Sequence, residues 1–397
     1  MKQERLWTRD FTLAVVTGFF AAMVVSVLMT TMAVYSMGRF GVGEGLAGFT
    51  SSIAMIGSII GRFFTGRHFD RIGRRRLAMT AGFLNAVVCL FYFIPTGIGP
   101  LLAIRLVHGV MSGCVHNAMS TAVIDFIPPA RRAEGIAVYT LNFTLALAAG
   151  PALGMYIADR WSYNALFAAN LCFAVVSIAV LAFIRFAPSV TGEGKTAQAG
   201  GAKAAGGVFE RSALPLSFAI APLCMCYASV SAFIEAYTGQ LGIVWAASAF
   251  FIIYGLFIIV TRPLAGRLID RRGENHVMIP TMLINTGGIV ALGLAGVLPG
   301  GVAPALVVVA AAFLMAGGFG AILPMGQAIA VKRAEPHRFS QITATYWVFS
   351  DGGMGVGAFA LGLIASKAGF TGMFFFETAV ALGALAVYWL LHGRHNR

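Results

Sequence analysis

Charged side chains are scarce in this chain, at 11% of its 397 residues. A soluble domain carries about 25%, so a water-covered globular enzyme of this size is excluded. Acids are the rarer sign, 15 against 28 Lys+Arg. Cysteines number five (Cys89, Cys114, Cys172, Cys224 and Cys226), and no two form a Cys-x-x-Cys pair. Neither a disulfide frame nor a zinc site is suggested, and the five read as small apolar packing residues. A Gly-x-x-x-x-Gly-Lys-Ser/Thr element is absent, which disfavours ATP-driven work. No clustered metal or nucleophile constellation occurs in the sequence, so no cofactor, no metal and no enzymatic activity are expected.

What is abundant is apolar: 58% of residues are hydrophobic, and mean hydropathy is +0.83. A membrane-crossing helix needs about 20 apolar residues. Runs broken by Gly/Pro turns and charge clusters predict twelve spans, at 11–37, 46–66, 77–95, 100–123, 136–158, 165–186, 213–238, 245–265, 276–298, 304–330, 339–365 and 371–391. The fold class is therefore an all-α polytopic membrane protein of twelve transmembrane helices. Between spans six and seven, Pro188–Ser212 is rich in Gly, Ala and Lys and nearly free of large apolar residues. Such a segment cannot bury enough surface to fold and reads as a flexible linker. It separates an N-terminal six-helix bundle (1–187) from a C-terminal one (213–397).

The basic residues alternate sides. Segments 1–10, 67–76, 125–135, 185–212, 267–275, 332–338 and 393–397 together hold 22 of the 28, while the opposite side receives Arg39, Arg160 and Lys367. This is the positive-inside asymmetry. It predicts cytoplasmic termini and a cytoplasmic linker, and it explains the net charge of +13 without a nucleic-acid partner. The first span lacks a small-residue cleavage site, so no cleavable signal peptide is expected.

The two halves repeat. GRHFDRIGRRR (Gly66–Arg76) follows span two and GRLIDRRGENH (Gly266–His276) follows span eight, with six of twelve positions identical between 62–73 and 262–273. Tyr35 near the end of span one has a counterpart in Tyr237 near the end of span seven. Two parallel six-helix repeats describe one transporter design.

On these residues the sequence resembles the major facilitator superfamily. GRHFDRIGRRR matches that superfamily's Gly-x-x-x-Asp-Arg-x-Gly-Arg-Arg signature. Arg105–Gly113 resembles its Arg-x-x-x-Gly element in helix four, and AGPALG (Ala149–Gly154) resembles the Gly-Pro-x-x-Gly antiporter element of proton-driven exporters. LWTRDF (Leu6–Phe11), PPARRAEG (Pro128–Gly135) and SAFFIIYGLFIIVTRPLAGRLIDRRG (Ser248–Gly273) are similar to bacterial drug:proton antiporters. Ala146 and Met155 depart from that element, standing where Gly is usual. The resemblance implies alternating-access efflux of a small organic compound (a drug, a metabolite or a metallophore-like molecule) across a bacterial inner membrane, by a monomer that exchanges it for protons. A symporter importing a small anion through Arg105 is the alternative within transport. A membrane sensor or membrane-embedded enzyme is the alternative outside it.

Candidate residues follow in four groups. Gly66, Asp70, Arg71, Gly73 and Arg74, with Asp125 and the repeat's Asp270 and Arg271, form a cytoplasmic gate by resemblance; charge-assisted bonds can lock such a loop. Gly150, Pro151 and Gly154 are the antiporter element. Arg105, His108, Ser112, His116 and Ser120 recur at spacings of three and four and are expected on one face of helix four. That face meets either the central cavity, which the resemblance assigns to helices one, four, seven and ten, or neighbouring helices. Tyr35, Asn142, Tyr227, Tyr254, Gln327, Tyr346 and Trp347 are further cavity candidates. The last group is proton coupling, for which Glu235, then Asp351, with Arg105 and His108, are the candidates. Burial disfavours the charged form of a carboxyl, so an acid within a span can load and release a proton. Glu377 in span twelve reads as structural. Span one has no acid between Asp10 and Glu44, so a coupling acid that some relatives place there has no counterpart here.

Overall fold

In the computed structural model, residues 5–94, 97–128, 131–186, 210–332 and 339–395 are described, and among them every regular element is helical. The first half contributes α1 (Arg9–Phe40), α2 (Glu44–Ile72), α3 (Arg74–Leu90), α4 (Ile98–Ala122), α5 (Arg132–Arg160) and α6 (Tyr163–Ala182). The second contributes α7 (Leu214–Gln240), α8 (Trp245–Arg272), α9 (Asn275–Ala295), α10 (Val302–Gly317), α11 (Phe319–Lys332) and α12 (Phe339–Leu391). Ten helical stretches among the described residues are long and apolar enough to cross a bilayer, and Trp245–Thr261 is a shorter apolar helix. One of the ten, Thr345–Leu391, is 47 residues long and carries two spans. Its backbone leaves the helix at Gly369 (φ 69), between the predicted spans eleven and twelve. α10 and α11 together make the predicted span ten, broken at Gly318. Helices run beyond the apolar runs into the polar ends, so α2 and α8 continue to Ile72 and Arg272.

The sequence repeat is a conformational repeat as well. Gly73, between α2 and α3, and Gly273, between α8 and α9, share a φ of 86. Gly41 and Gly242 lie in the first connection of each half with φ 64 and 72. At Gly273 the accompanying ψ is 167, a region that side-chain-bearing residues avoid. Gly273→Ala is therefore expected to cost about 1–3 kcal/mol, read as a lower unfolding temperature of the detergent-solubilised protein. An unchanged temperature would contradict the positive φ.

The chain forms two compact units, Met1–Thr31 with Ile53–Gly194, and Met32–Ser52 with Lys195–Arg397. Small residues allow the packing inside each. In the first unit, Gly57 and Gly61 of α2 lie against the carbonyls of Leu106 and Val110 of α4, and Gly109 and Gly113 of α4 lie against those of Ala54 and Ser58. Gly150 of α5 lies against Ser26 of α1, and Gly154 against the Val27 carbonyl. In the second unit Gly353 and Gly357 of α12 meet Ala221 and Met225 of α7. Segment 32–52 joins this unit because Gly48 backs onto the Ala358 carbonyl and Gly362 onto that of Glu44. The division expected at the linker therefore follows chain order, whereas the packing assigns the last turns of α1 and the first of α2 to the second unit.

Large apolar side chains such as Leu256, Leu306 and Val302 are more than half exposed. In water this much exposed apolar surface would be an anomaly; against lipid tails it is the expected exterior.

Candidate functional site

The polar residues of α4 were expected on one face, and the structure divides them. Steps of four residues overshoot a 3.6-residue turn by about 40°, so His116 is turned roughly 80° from His108. Arg105 is fully enclosed and His108 nearly so. His108 Nδ1 hydrogen-bonds with the Tyr92 hydroxyl at 2.7 Å, and its Nε2 lies 3.9 Å from Cys89 Sγ. Asn170 Nδ2 of α6 donates to that sulfur at 3.4 Å. One turn along, Ser112 Oγ donates to Asn85 Oδ1 at 3.0 Å. Arg105 is within electrostatic reach of Tyr92, Cys89 and His108. These three stripe members thus face α3 and the turn that follows it, with Asn170 of α6 reaching the cluster through Cys89, the interhelical alternative of the two readings. His116 instead meets the Phe143 ring of α5 at 6.0 Å, and Ser120 bonds back to its own helix at Asn117.

The reason for the buried network is that a lone polar atom in an apolar bundle is costly, and each member here answers another. Asn85, Tyr92 and Asn170 escaped the sequence reading, and Cys89 was read there only as a packing residue. Asn85 and Asn170 carried the only available signal, an amide inside an apolar span.

The other cavity candidates of the first half are Tyr35 and Asn142, both buried. Tyr35 stands edge-on to Phe40 at 5.9 Å. Asn142 lies beside Gly18 of α1, and its Nδ2 has no hydrogen-bond partner among the described residues.

In the second unit, Tyr227 of α7 stacks on Phe319 of α11 at 4.5 Å and sits 5.8 Å from the ring of Tyr254 of α8. Tyr254 stacks on Phe250. Tyr346 donates to the Leu323 carbonyl at 2.7 Å, pinning α12 to α11, and Trp347 stands edge-on beside it. Gln327 is half-buried on α11. Glu235 of α7 and Asp351 of α12 are 7% and 4% exposed, so both coupling candidates are enclosed carboxyls of one unit. Arg105 belongs to the other unit.

Of the gate residues, Gly73 takes its turn conformation between α2 and α3, and Asp125 is exposed in the 3-10 turn Val123–Phe126 after α4. The side chains of Asp70, Arg71, Arg74, Asp270 and Arg271, and the surroundings of Gly66, lie outside the described residues, as does most of the linker. A further polar cluster ties the end of the chain to α9. Asn275 Nδ2 donates to the Gly393 carbonyl at 2.7 Å, Tyr388 donates to Asn275 Oδ1 at 2.9 Å, and His392 Nε2 is 3.1 Å from Glu274 Oε2.

The pattern of the Major Facilitator Superfamily matches residues 14–351. The chain belongs to the major facilitator superfamily. Over nearly its whole length it is similar to the multidrug resistance protein MdtG of Dickeya zeae, at 22% identity covering 98% of this chain and 96% of that one. It is 26% identical to a Na(+), Li(+), K(+)/H(+) antiporter of Planococcus maritimus over 45% of this chain and 42% of that protein. Several curated relatives, this one included, are matched over less than half of their own length, 22% to 42%. Among solved structures, a bacterial homologue of the human lysosomal transporter Spinster, in an inward-facing and occupied conformation, superposes with a TM-score of 0.77. It shares 13% identity and covers 98% of this chain and 97% of that one. That likeness concerns the fold. The protein is thus a multi-pass membrane protein of this superfamily, with multidrug-efflux and proton-antiporter proteins among its relatives.

Proposed function

We propose that this transporter exports a small organic compound in exchange for protons, by alternating access, and has no enzymatic activity. The observation that carries the reading is the pair of enclosed carboxyls, Glu235 on α7 and Asp351 on α12, in a chain whose full-length relative is a multidrug resistance protein. Ionisable groups inside a bundle are costly and mark ion or substrate pathways. The antiporter element supports it: Gly150 and Gly154 bring α5 onto the backbone of α1, and Gly353 and Gly357 bring α12 onto α7 in the other half. The reading takes the protein to be a monomer in a bacterial inner membrane, with protons, the exported compound and lipid as its partners.

The test is a proteoliposome carrying the purified protein, an imposed pH gradient and a panel of amphipathic cations, sugars and organic anions. Movement of a compound against the direction of proton flow supports the antiport reading. Movement with the protons, and only of anions, would support the symporter instead.

The orientation is tested separately. Cytoplasmic termini and linker follow from the 22 basic residues on that side and the positive-inside rule. Single cysteines at Gly194 and Gly43, in a chain freed of its own five, are expected to react with an impermeant reagent from opposite faces. Reaction of both from one face would overturn the twelve-span topology.

A further inference from the structure

Glu377 lies on the second arm of α12 and is fully buried. Its Oε1 meets Ser229 Oγ of α7. The same hydroxyl contacts the Cys226 carbonyl at 2.7 Å, and Cys226 Sγ donates to the Glu377 carbonyl at 3.8 Å. Glu377 Oε2 has no hydrogen-bond partner among the described residues.

Counting protons decides what this arrangement requires. A hydroxyl donates once, a peptide carbonyl only accepts, and an ionised carboxylate only accepts. Ser229 Oγ stands between two oxygens, so two hydrogen bonds need two protons, and serine supplies one. With its proton on the Cys226 carbonyl, the second bond exists only if Glu377 is a carboxylic acid donating to Ser229 Oγ. An ionised Glu377 would compete with the carbonyl for the single hydroxyl proton and lose one of the two bonds.

Among the described residues, no counter-charge changes this count. On α7 the titratable side chains are Cys224, Cys226, Tyr227, Glu235 and Tyr237. Cys226 meets Glu377 directly, Tyr237 packs on Phe374 and gives its proton to the Leu292 carbonyl, and Tyr227 packs on Phe319. Cys224 is within reach of Asp351, and Glu235 lies nearly two turns beyond Ser229 on the same helix. α9 offers only His276, exposed at its first turn. α11 carries only Lys332, whose side chain is outside the described residues. The short turn Gly393–His395 bears Arg394 and His395, more than four turns along the helix from Glu377. Among the described residues, none of these is a cation in contact with the carboxyl.

We propose that Glu377 and Ser229 form a proton-binding site that latches α7 to the second arm of α12. The proton-loaded form holds both hydrogen bonds. The empty form keeps one and leaves a buried carboxylate, so the contact between the two helices depends on proton occupancy. The site is separate from the Glu235 and Asp351 pair and stands whether or not those acids couple transport.

The test uses the full-length protein in lipid nanodiscs. The infrared difference between wild type and Glu377→Gln near neutral pH is expected to contain the C=O stretch of a protonated carboxyl, lost in the variant. A carboxylate stretch in its place overturns the proposal. Glutamine can donate an amide hydrogen to Ser229, so Glu377→Gln is also expected to unfold at the wild-type temperature near neutral pH. At alkaline pH it should be the more stable of the two. Parallel alkaline destabilisation of both proteins would overturn the latch. If Glu377→Gln does not fold, Ser229→Ala serves instead: the protonated-carboxyl band of the wild type should shift to higher frequency as its hydrogen bond is lost. A band at the same frequency in both proteins would refute the pairing.

Discussion

Glu235→Gln is expected to abolish gradient-driven transport while leaving substrate binding and exchange without a gradient in place. A proton falling through 100 mV delivers about 2.3 kcal/mol, and an antiporter captures it only if some group alternates between loaded and empty. Glutamine has nearly the shape of a protonated glutamic acid but cannot change charge. It therefore fixes Glu235 in one of its two states, removing the cycle and keeping the packing. Glu235 is the first candidate because it is enclosed on α7, where Thr238 Oγ1 donates to its backbone carbonyl one turn on. Asp351 on α12 is the second. Liposome flux with and without an imposed gradient separates coupling from binding. Uphill transport at the wild-type rate by both Glu235→Gln and Asp351→Asn would move the coupling group elsewhere.

The membrane fold was legible in the sequence because its signals are long and redundant. Twenty-residue apolar runs, basic loops and a duplicated Gly66–Arg76 motif each point to one architecture, and Gly73 and Gly273 repeat even a backbone angle. Contacts between helices were not legible in the same way. The spacing of Arg105, His108, Ser112 and His116 is near-helical, and only the drift of about 40° per four-residue step and the positions of Asn85 and Phe143 show that one stripe serves two neighbours. Partners such as Cys89 for His108, or Ser229 for Glu377, lie 19 and 148 residues away in sequence, and no local pattern marks them. The four-residue spacing of Gly57 and Gly61, and of Gly353 and Gly357, stands in the sequence, yet which helix each pair meets is set by the bundle.

Those seams carry the other large effect. Gly109→Leu is expected to prevent assembly of the first unit, and Gly109→Ala to cost about 1–3 kcal/mol, as overpacking does. Between lipid-embedded helices the hydrophobic effect gives little, so close van der Waals packing and interhelical hydrogen bonds must hold them. Any Cβ at Gly109 would run into the backbone of Ala54, and one at Gly113 into that of Ser58. Backbone cannot swing aside as a side-chain tip can, so α4 would have to move off α2. That movement would also disturb the Cys114 Sγ to Gly61 carbonyl contact at 3.4 Å and the Ser112–Asn85 bond at 3.0 Å, which position the α4 network. Gly352→Ala is the matched control. Nothing lies within 4 Å of a Cβ there, and removing a glycine from a helix interior gains about 0.5–1 kcal/mol. Unfolding temperatures of the two alanine variants in detergent should therefore move in opposite directions, and equal shifts would mean that the α2–α4 contact is looser than its glycines imply.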